Sequence, residues 1–286
     1  FSLFSLIVSI AFLHSYWENT QATAEVLILI IDHPLFIVPN DLVMLALISP
    51  FSFLIIKNTS TPIFRYLSVA SCIFCLITLI IFQSRTGLIS FFICMGSFLI
   101  LLNPKYLIKT LCASLALAIS IDYLLDFQLF SKFFTLPSSR IPLWSAAFSL
   151  FIENPVFGNG PHIFSEYYTE YINSRTFADW IVVDTRTIPW PHNLFLELLS
   201  ESGIFTTITF ICLSGYTLVK LSMLFALNKF TLESICLISI FLGFIFAALF
   251  ELTLIRIWVL LFLSLFFGLC HSLIKKGNIS SNAANT

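Results

Sequence analysis

Long apolar runs alternate with short polar connections along most of this chain. Runs close to membrane-spanning length occur at residues 1–16, 41–56, 64–83, 87–102, 107–125, 203–225, 232–250 and 256–274. Because a helix needs about 20 mostly apolar residues to cross a bilayer, the pattern predicts eight transmembrane helices. The expected fold is all-α: a polytopic helical membrane protein that forms a single membrane domain over residues 1–286.

The first residue, Phe1, lies inside an apolar run. We therefore expect this chain to be the N-terminally truncated part of a longer protein with further spans upstream. A secretory signal peptide fits less well, because the first run has neither a basic segment before it nor a small-residue cleavage site after it.

Composition agrees with a membrane protein. Hydrophobic residues make up 58% of the chain and charged residues 10%, whereas soluble domains are about 25% charged. All seven cysteines lie in apolar runs. Cys72 and Cys75 have the spacing of a metal-binding or redox pair, but no second pair or flanking histidine accompanies them, so a packing role is favoured.

Basic residues in short connections predict the orientation, because Lys and Arg collect on the cytoplasmic side. They are Lys57, Arg65, Lys105, Lys109, Lys220, Lys229, Lys275 and Lys276. The turn at 84–86, the long loop at 126–202 and the turn at 251–256 then share the outer face, and the C-terminus is cytoplasmic. The long loop carries four basic and eight acidic residues, which excludes a nucleic-acid surface.

The first part of the long loop has the pattern of an interfacial helix. Ser138 or Ser139 is a suitable N-cap, Pro142 falls in the first turn, and Pro155 ends the helix. Aromatic residues follow at helical spacing, at Trp144, Phe148 and Phe151. The favoured role of this aromatic stripe is to anchor the loop in lipid headgroups.

Two further elements follow in the loop. Residues 154–162 contain two glycines and two prolines and predict a compact turn, in which His162 is expected to make a stabilising polar contact rather than to bind a ligand. Residues 166–171 predict a short helix. Its acidic residues form a solvated face, or its tyrosines stack on sugar rings; the sequence leaves both alternatives open.

His192 is the candidate base. Residues 193–202 predict a helix with one apolar face and with Glu197 and Glu201 on another, and Gly203 is placed to close it in a left-handed cap. His192 then lies at or next to the helix N-terminus. The positive end of the helix dipole disfavours imidazolium and keeps the ring neutral, so that it can accept a proton.

Four arginines are predicted on the same membrane face as His192: Arg85, Arg140, Arg186 and Arg256. Guanidinium groups bind pyrophosphate bidentately and stabilise the charge that develops as it leaves. For any one of them an interfacial ion pair, such as Arg256 with Glu251, is the competing interpretation. Together with His192 the set favours a metal-free phosphate site. No zinc motif, phosphate loop or nucleophile elbow accompanies it, so nucleotide hydrolysis is poorly supported.

Several of these residues occur along the chain in an order that is typical of one protein family. The motifs are Ser84-Arg85-Thr86-Gly87, Arg140-x-x-x-Trp144, Asn154-Pro155-x-x-Gly158-x-Gly160 followed by Phe164, and His192-Asn193 followed by Gly203 after nine intervening residues. Across residues 68–225 the chain resembles the O-antigen ligase and O-antigen polymerase superfamily.

The resemblance implies a multi-pass glycosyltransferase of the bacterial inner membrane that needs no metal and no cofactor. Its donor is a glycan linked to undecaprenyl pyrophosphate, and transfer occurs at the periplasmic face. The acceptor is lipid A-core in lipopolysaccharide biosynthesis, for a ligase, or another glycan repeat unit, for a polymerase. The implied catalytic base is His192. Arg85 and Arg140 hold the pyrophosphate, with Arg186 a weaker candidate; the remaining partners are membrane lipids.

One position departs from the ligase pattern. That pattern expects a glycine three residues after Gly203, where Thr206 stands, while Thr207 fits the position that follows. The choice between ligase and polymerase is therefore left open by the motif.

A flippase without chemistry is the alternative from another class. Transporters keep ionisable groups near the membrane midplane, whereas runs 64–83, 87–102 and 232–250 have none apart from Arg65 and Glu233, each near an end of its run. This distribution favours surface chemistry, both over a flippase and over a membrane scaffold.

Overall fold

The computed structural model describes residues 39–82, 84–109, 112, 116, 119–120, 123, 128–185 and 188–283. All regular secondary structure in these residues is helical, which confirms the predicted all-α membrane architecture. The helices are α1 (Val43–Asn58), α2 (Pro62–Ile81), α3 (Arg85–Leu102), α4 (Gln128–Glu153), α5 (Phe164–Asn173), α6 (Leu194–Glu197), α7 (Gly203–Ala226), α8 (Thr231–Phe250) and α9 (Ile257–Ala283). A π-helical turn, Leu198–Ser202, joins α6 to α7.

Five helical segments of the described chain are long and apolar enough to cross a membrane: Pro62–Ile81, Arg85–Leu102, Leu194–Ala226, Thr231–Phe250 and Ile257–Gly277. They correspond to five of the predicted runs. Helix α1 is apolar but has only 16 residues. Run 1–16 and most of run 107–125 lie outside the described residues, so the count of eight is not confirmed.

The chain divides into two compact units. The first comprises residues 1–118, 221–247 and 272–286. In it, α1, α2 and α3 pack around buried side chains that include Leu45, Leu79 and Phe91. Gly243 of α8 lies so close to the Cys94 thiol that a Cβ atom there would overlap it. A small residue at this position therefore allows two apolar helices to approach closely, as is usual in membranes.

The second unit comprises residues 119–220 and 248–271. Here α5 packs on α4 through a core to which Leu150, Phe164, Tyr168 and Tyr171 contribute. The Tyr168 hydroxyl donates a hydrogen bond to the Asp184 carbonyl at 2.9 Å. Tyr168 and Tyr171 are buried in the core and are therefore not available to stack on sugars, whereas Tyr167 is half-buried.

The exposed side of α5 carries its acidic residues. Glu166 and Glu170 are exposed. Their exposure agrees with the interpretation of a solvated acidic face.

Helix α4 corrects one prediction. It begins at Gln128 rather than at Ser138 or Ser139, so Pro142 lies inside the helix and not in its first turn. The apolar sequence before the serines extends the helix past a site that would otherwise favour a cap, although Pro142 lacks the N–H for one helical hydrogen bond. The end was predicted correctly, because the helix ends at Glu153, just before Asn154-Pro155.

Candidate active site

The turn at residues 154–162 docks on the π-helical turn through backbone contacts. Asn159 N donates to Ser200 O and Gly160 N to Glu201 O, both at 3.0 Å, and Ile204 N donates to Pro155 O at 2.9 Å. The first two bonds satisfy carbonyl groups that the irregular helical turn would otherwise leave without partners, and the third satisfies the Pro155 carbonyl. The contact therefore fixes the π-helical turn through which α6 passes into α7.

Glycines make this docking possible. Gly158 has φ +75° and Gly203 has φ +80°, and at each position a Cβ atom would overlap the backbone of the opposite segment. Only glycine meets both demands, close approach and positive φ. The predicted positive φ of Gly203 is confirmed. Its ψ of −178° differs from a left-handed cap, and the helix continues directly into α7.

His162 contributes to the same contact. Its backbone N–H donates to Glu201 Oε1 at 3.1 Å, and its φ is +65°. The expected role in stabilising the turn thus rests on the main chain of His162.

Asn193 fixes the start of α6. Its side-chain oxygen accepts hydrogen bonds from Phe195 N at 3.0 Å and Leu196 N at 3.1 Å, as an N-cap residue does. His192 precedes the cap, as predicted, and has φ +53°. A non-glycine residue held in this left-handed region costs about 1–3 kcal/mol, and such strain collects at functional sites.

The His192 side chain pairs with a carboxylate. Its Nδ1 lies 2.9 Å from Glu251 Oε1, and Arg140 Nη2 donates to Glu251 Oε2 at 2.9 Å. The Glu251 side chain is only 5% exposed, whereas those of Arg140 and His192 are 16% and 18% exposed. One buried carboxylate therefore joins the predicted base to a predicted pyrophosphate ligand.

Trp190 is a second neighbour of the histidine. Its Nε1 lies 3.2 Å from His192 Nδ1, the same atom that faces Glu251. An indole N–H only donates and a carboxylate only accepts, so Nδ1 serves one of them at a time. When it carries a proton it donates to Glu251, and Nε2 then keeps the lone pair that a base requires.

Aromatic contacts surround this group. The Arg256 guanidinium lies over the Trp190 ring, 4.7 Å from its centroid, in cation–π geometry. The rings of Trp190 and His192 meet edge to face at 5.5 Å. One turn after Arg140, the Trp144 ring lies 6.2 Å from that of Phe250, the residue before Glu251. Aromatic side chains thus pack next to both ends of the Arg140–Glu251–His192 group.

The structure brings together only some of the predicted residues. Arg140 and His192 meet at Glu251, and Arg256 lies beside Trp190. Arg85 is half-buried at the start of α3 in the other unit, and Arg186 lies outside the described residues.

Sequence reasoning considered Glu251 only as a partner of Arg256 and missed its role beside His192. The sequence does contain a signal for this role, because Glu251 is an acid at the end of an apolar run on the predicted outer face. An ionisable group at such a position is costly without a partner.

Comparison with known proteins gives one family. A family model described as O-antigen ligase matches residues 70–211, a range that includes Arg85, Arg140 and His192 and ends before Glu251. No curated protein matches the chain.

The glycine docking predicts a stability effect. Gly158→Ala and Gly203→Ala each combine positive-φ strain of about 1–3 kcal/mol with a backbone overlap. At about 2–4 °C per kcal/mol, each should lower the thermal unfolding midpoint in detergent by roughly 4 °C or more. Gly215→Ala, in open space on α7, is the matched control and should not lower the midpoint, because alanine has the higher helix propensity and meets no other atom there. Equal midpoints for all three variants would refute the docking argument.

Proposed function

This chain belongs to the O-antigen ligase superfamily, and we propose that it transfers a glycan from undecaprenyl pyrophosphate to an acceptor hydroxyl. The observation that carries the proposal is the Glu251 carboxylate, which lies 2.9 Å from both His192 Nδ1 and Arg140 Nη2. The carboxylate thereby holds the proposed base, His192, next to Arg140, the proposed ligand of the anionic leaving group.

The proposed reaction is a direct displacement. His192 Nε2 takes the proton of the acceptor hydroxyl as its oxygen forms a bond to the anomeric carbon of the donor. The bond from that carbon to the pyrophosphate oxygen breaks, and its electron pair leaves with undecaprenyl pyrophosphate. Glu251 accepts a hydrogen bond from Nδ1–H throughout and stabilises the imidazolium that forms, the role of the acid in a catalytic triad.

Arginines supply the positive charge for the leaving group. A guanidinium has five N–H donors, so Arg140 retains donors for a phosphate oxygen while it holds Glu251. Arg256, stacked on Trp190 beside the histidine, is the second candidate. Arg85 and Arg186 keep the pyrophosphate role that the family resemblance implies. With cationic side chains in this role, we propose that transfer does not depend on a metal ion.

The protein is a multi-pass membrane protein, and we propose that it lies in the bacterial inner membrane. The distribution of Lys and Arg among short connections supports a periplasmic site and a cytoplasmic C-terminus. His192, Arg140 and Glu251 then face the compartment in which glycans on undecaprenyl pyrophosphate meet their acceptors.

His192→Ala tests the chemistry. In liposomes with a lipid-linked donor and an acceptor, we expect the variant to release undecaprenyl pyrophosphate at least about 10²-fold more slowly than the wild type, because general-base catalysis contributes 10²–10⁴-fold. The matched control is His271→Ala, an exposed residue of α9, which should match the wild type.

Two results would contradict this account. Full activity of folded His192→Ala would remove the histidine from the mechanism. Movement of the glycolipid across the bilayer by the wild type without any release of undecaprenyl pyrophosphate would identify a flippase instead.

We propose lipid A-core as the acceptor, which makes the protein a ligase. Thr206, at the position where the ligase pattern has glycine, is exposed, and its hydroxyl donates a hydrogen bond to Ser202 O in the preceding turn. A side chain there obstructs no close contact within its unit, so this departure does not argue against the ligase assignment.

A deletion strain separates ligase from polymerase. Loss of a ligase should leave lipid A-core without O-antigen and let polymer accumulate on undecaprenyl pyrophosphate, as gel banding of lipopolysaccharide would show. The control is the same strain with the gene restored. Lipopolysaccharide that carries a single repeat unit would identify a polymerase.

A further inference from the structure

Glu251 lies in a short turn, residues 251–256, between α8 and α9. A turn of this kind needs a fixed attachment if its carboxylate is to meet two partners at 2.9 Å. The first half of the turn is buried, with Leu252 and Thr253 at most 2% exposed. Apolar burial holds the turn against the unit but does not set its position along the neighbouring helix, because it is not directional.

A directional contact comes from Glu197. Its Oε1 accepts a hydrogen bond from Leu254 N at 2.9 Å, across 57 positions of sequence. Glu197 is the last residue of α6, the helix that begins two residues after His192. The bond therefore connects the segment that presents the base directly to the turn that presents its carboxylate.

Burying the Glu197 carboxyl group destabilises the fold more than an apolar side chain would, so packing alone does not explain a glutamate at this position. The residue is 2% exposed, and its second oxygen, Oε2, is buried without a hydrogen-bond partner in the part of the chain that the structure describes. Burying a carboxyl group with incomplete hydrogen bonding destabilises a fold. An apolar side chain would fill this position at lower cost, so the carboxyl oxygen facing Leu254 is the feature that favours Glu197.

Glu201 provides the comparison within the same segment. It is buried four residues later, but its carboxylate accepts from His162 N in the turn at 154–162. The two glutamates thus attach one helix to two different segments: Glu197 accepts a hydrogen bond from the turn that carries Glu251, and Glu201 accepts one from the turn at 154–162.

We infer that Glu197 is a positioning residue of the site: through Leu254 N–H it sets the 251–256 turn so that Glu251 reaches both His192 and Arg140. The inference rests on the proposed transfer reaction. Arg256 lies in the same turn, so the contact also sets the guanidinium that stacks on Trp190.

Glu197→Ala and Glu197→Gln test this role in the reconstituted transfer assay. We expect Glu197→Ala to lower kcat at least about 10-fold, since small misplacement of catalytic groups is costly, with the donor KM changed less than about 3-fold. Glu197→Gln keeps an oxygen that accepts from Leu254 N–H and should retain most of the wild-type kcat. If Glu197→Ala does not fold, Glu197→Met replaces it, because it fills the same volume without an acceptor.

A double-mutant cycle with Glu251→Ala distinguishes positioning from general destabilisation. If Glu197 acts through Glu251, Glu197→Ala should cause no further loss of kcat in the Glu251→Ala background. Glu201→Ala is the matched control, and whatever loss it causes should multiply with that of Glu251→Ala.

Three outcomes would overturn the inference: wild-type kcat in folded Glu197→Ala, equal losses in Glu197→Ala and Glu197→Gln, or multiplicative losses of Glu197→Ala and Glu251→Ala. The single variants Glu251→Ala and His192→Ala test the proposed transfer reaction independently of Glu197. If both single variants retain wild-type kcat, the transfer mechanism is wrong; if they lose it while Glu197→Ala does not, only the positioning role is wrong.

Discussion

The site depends on a buried carboxylate that two neighbours share. Removing Glu251 from water is expensive, and the structure offsets this cost with a guanidinium on one oxygen and an imidazole on the other. The same pairing selects the histidine tautomer that leaves Nε2 as a base. The contacts that compensate the buried charge of Glu251 are thus the same contacts that leave Nε2 of His192 able to accept a proton. Removing Glu251, Arg140 or His192 leaves the other two poorly paired.

Backbone geometry brings the histidine to that carboxylate. His192 has a left-handed conformation between Trp190 and the Asn193 cap, and its strain must be offset by contacts around it. The docking of the turn at 154–162, which the glycines Gly158 and Gly203 permit, fixes the π-helical turn that directly follows the same short helix. The family motifs spaced along the loop therefore meet as a single structural element, with His192 at one end and Gly203 at the other.

The sequence predicted what depends on periodicity and on local chemistry. Five apolar runs became helices of spanning length, the helix after His192 begins where its pattern predicted, and Gly203 has the predicted positive φ although it does not end that helix. It did not predict contacts that depend on tertiary placement. The start of α4 was wrong because a good capping pair lay inside a longer apolar helix. The partnership of Glu251 with His192 joins residues 59 positions apart, and no local pattern encodes that pairing.

In the proposed mechanism the Glu251 carboxylate activates His192, and chemical rescue tests this role most directly. Glu251→Ala leaves space where a small carboxylate can bind beside His192 and Arg140, so we expect turnover to be low in this variant and to rise with added formate. Formate should have no effect on His192→Ala, which lacks the base. Turnover in Glu251→Ala equal to that of the wild type without formate would contradict the account.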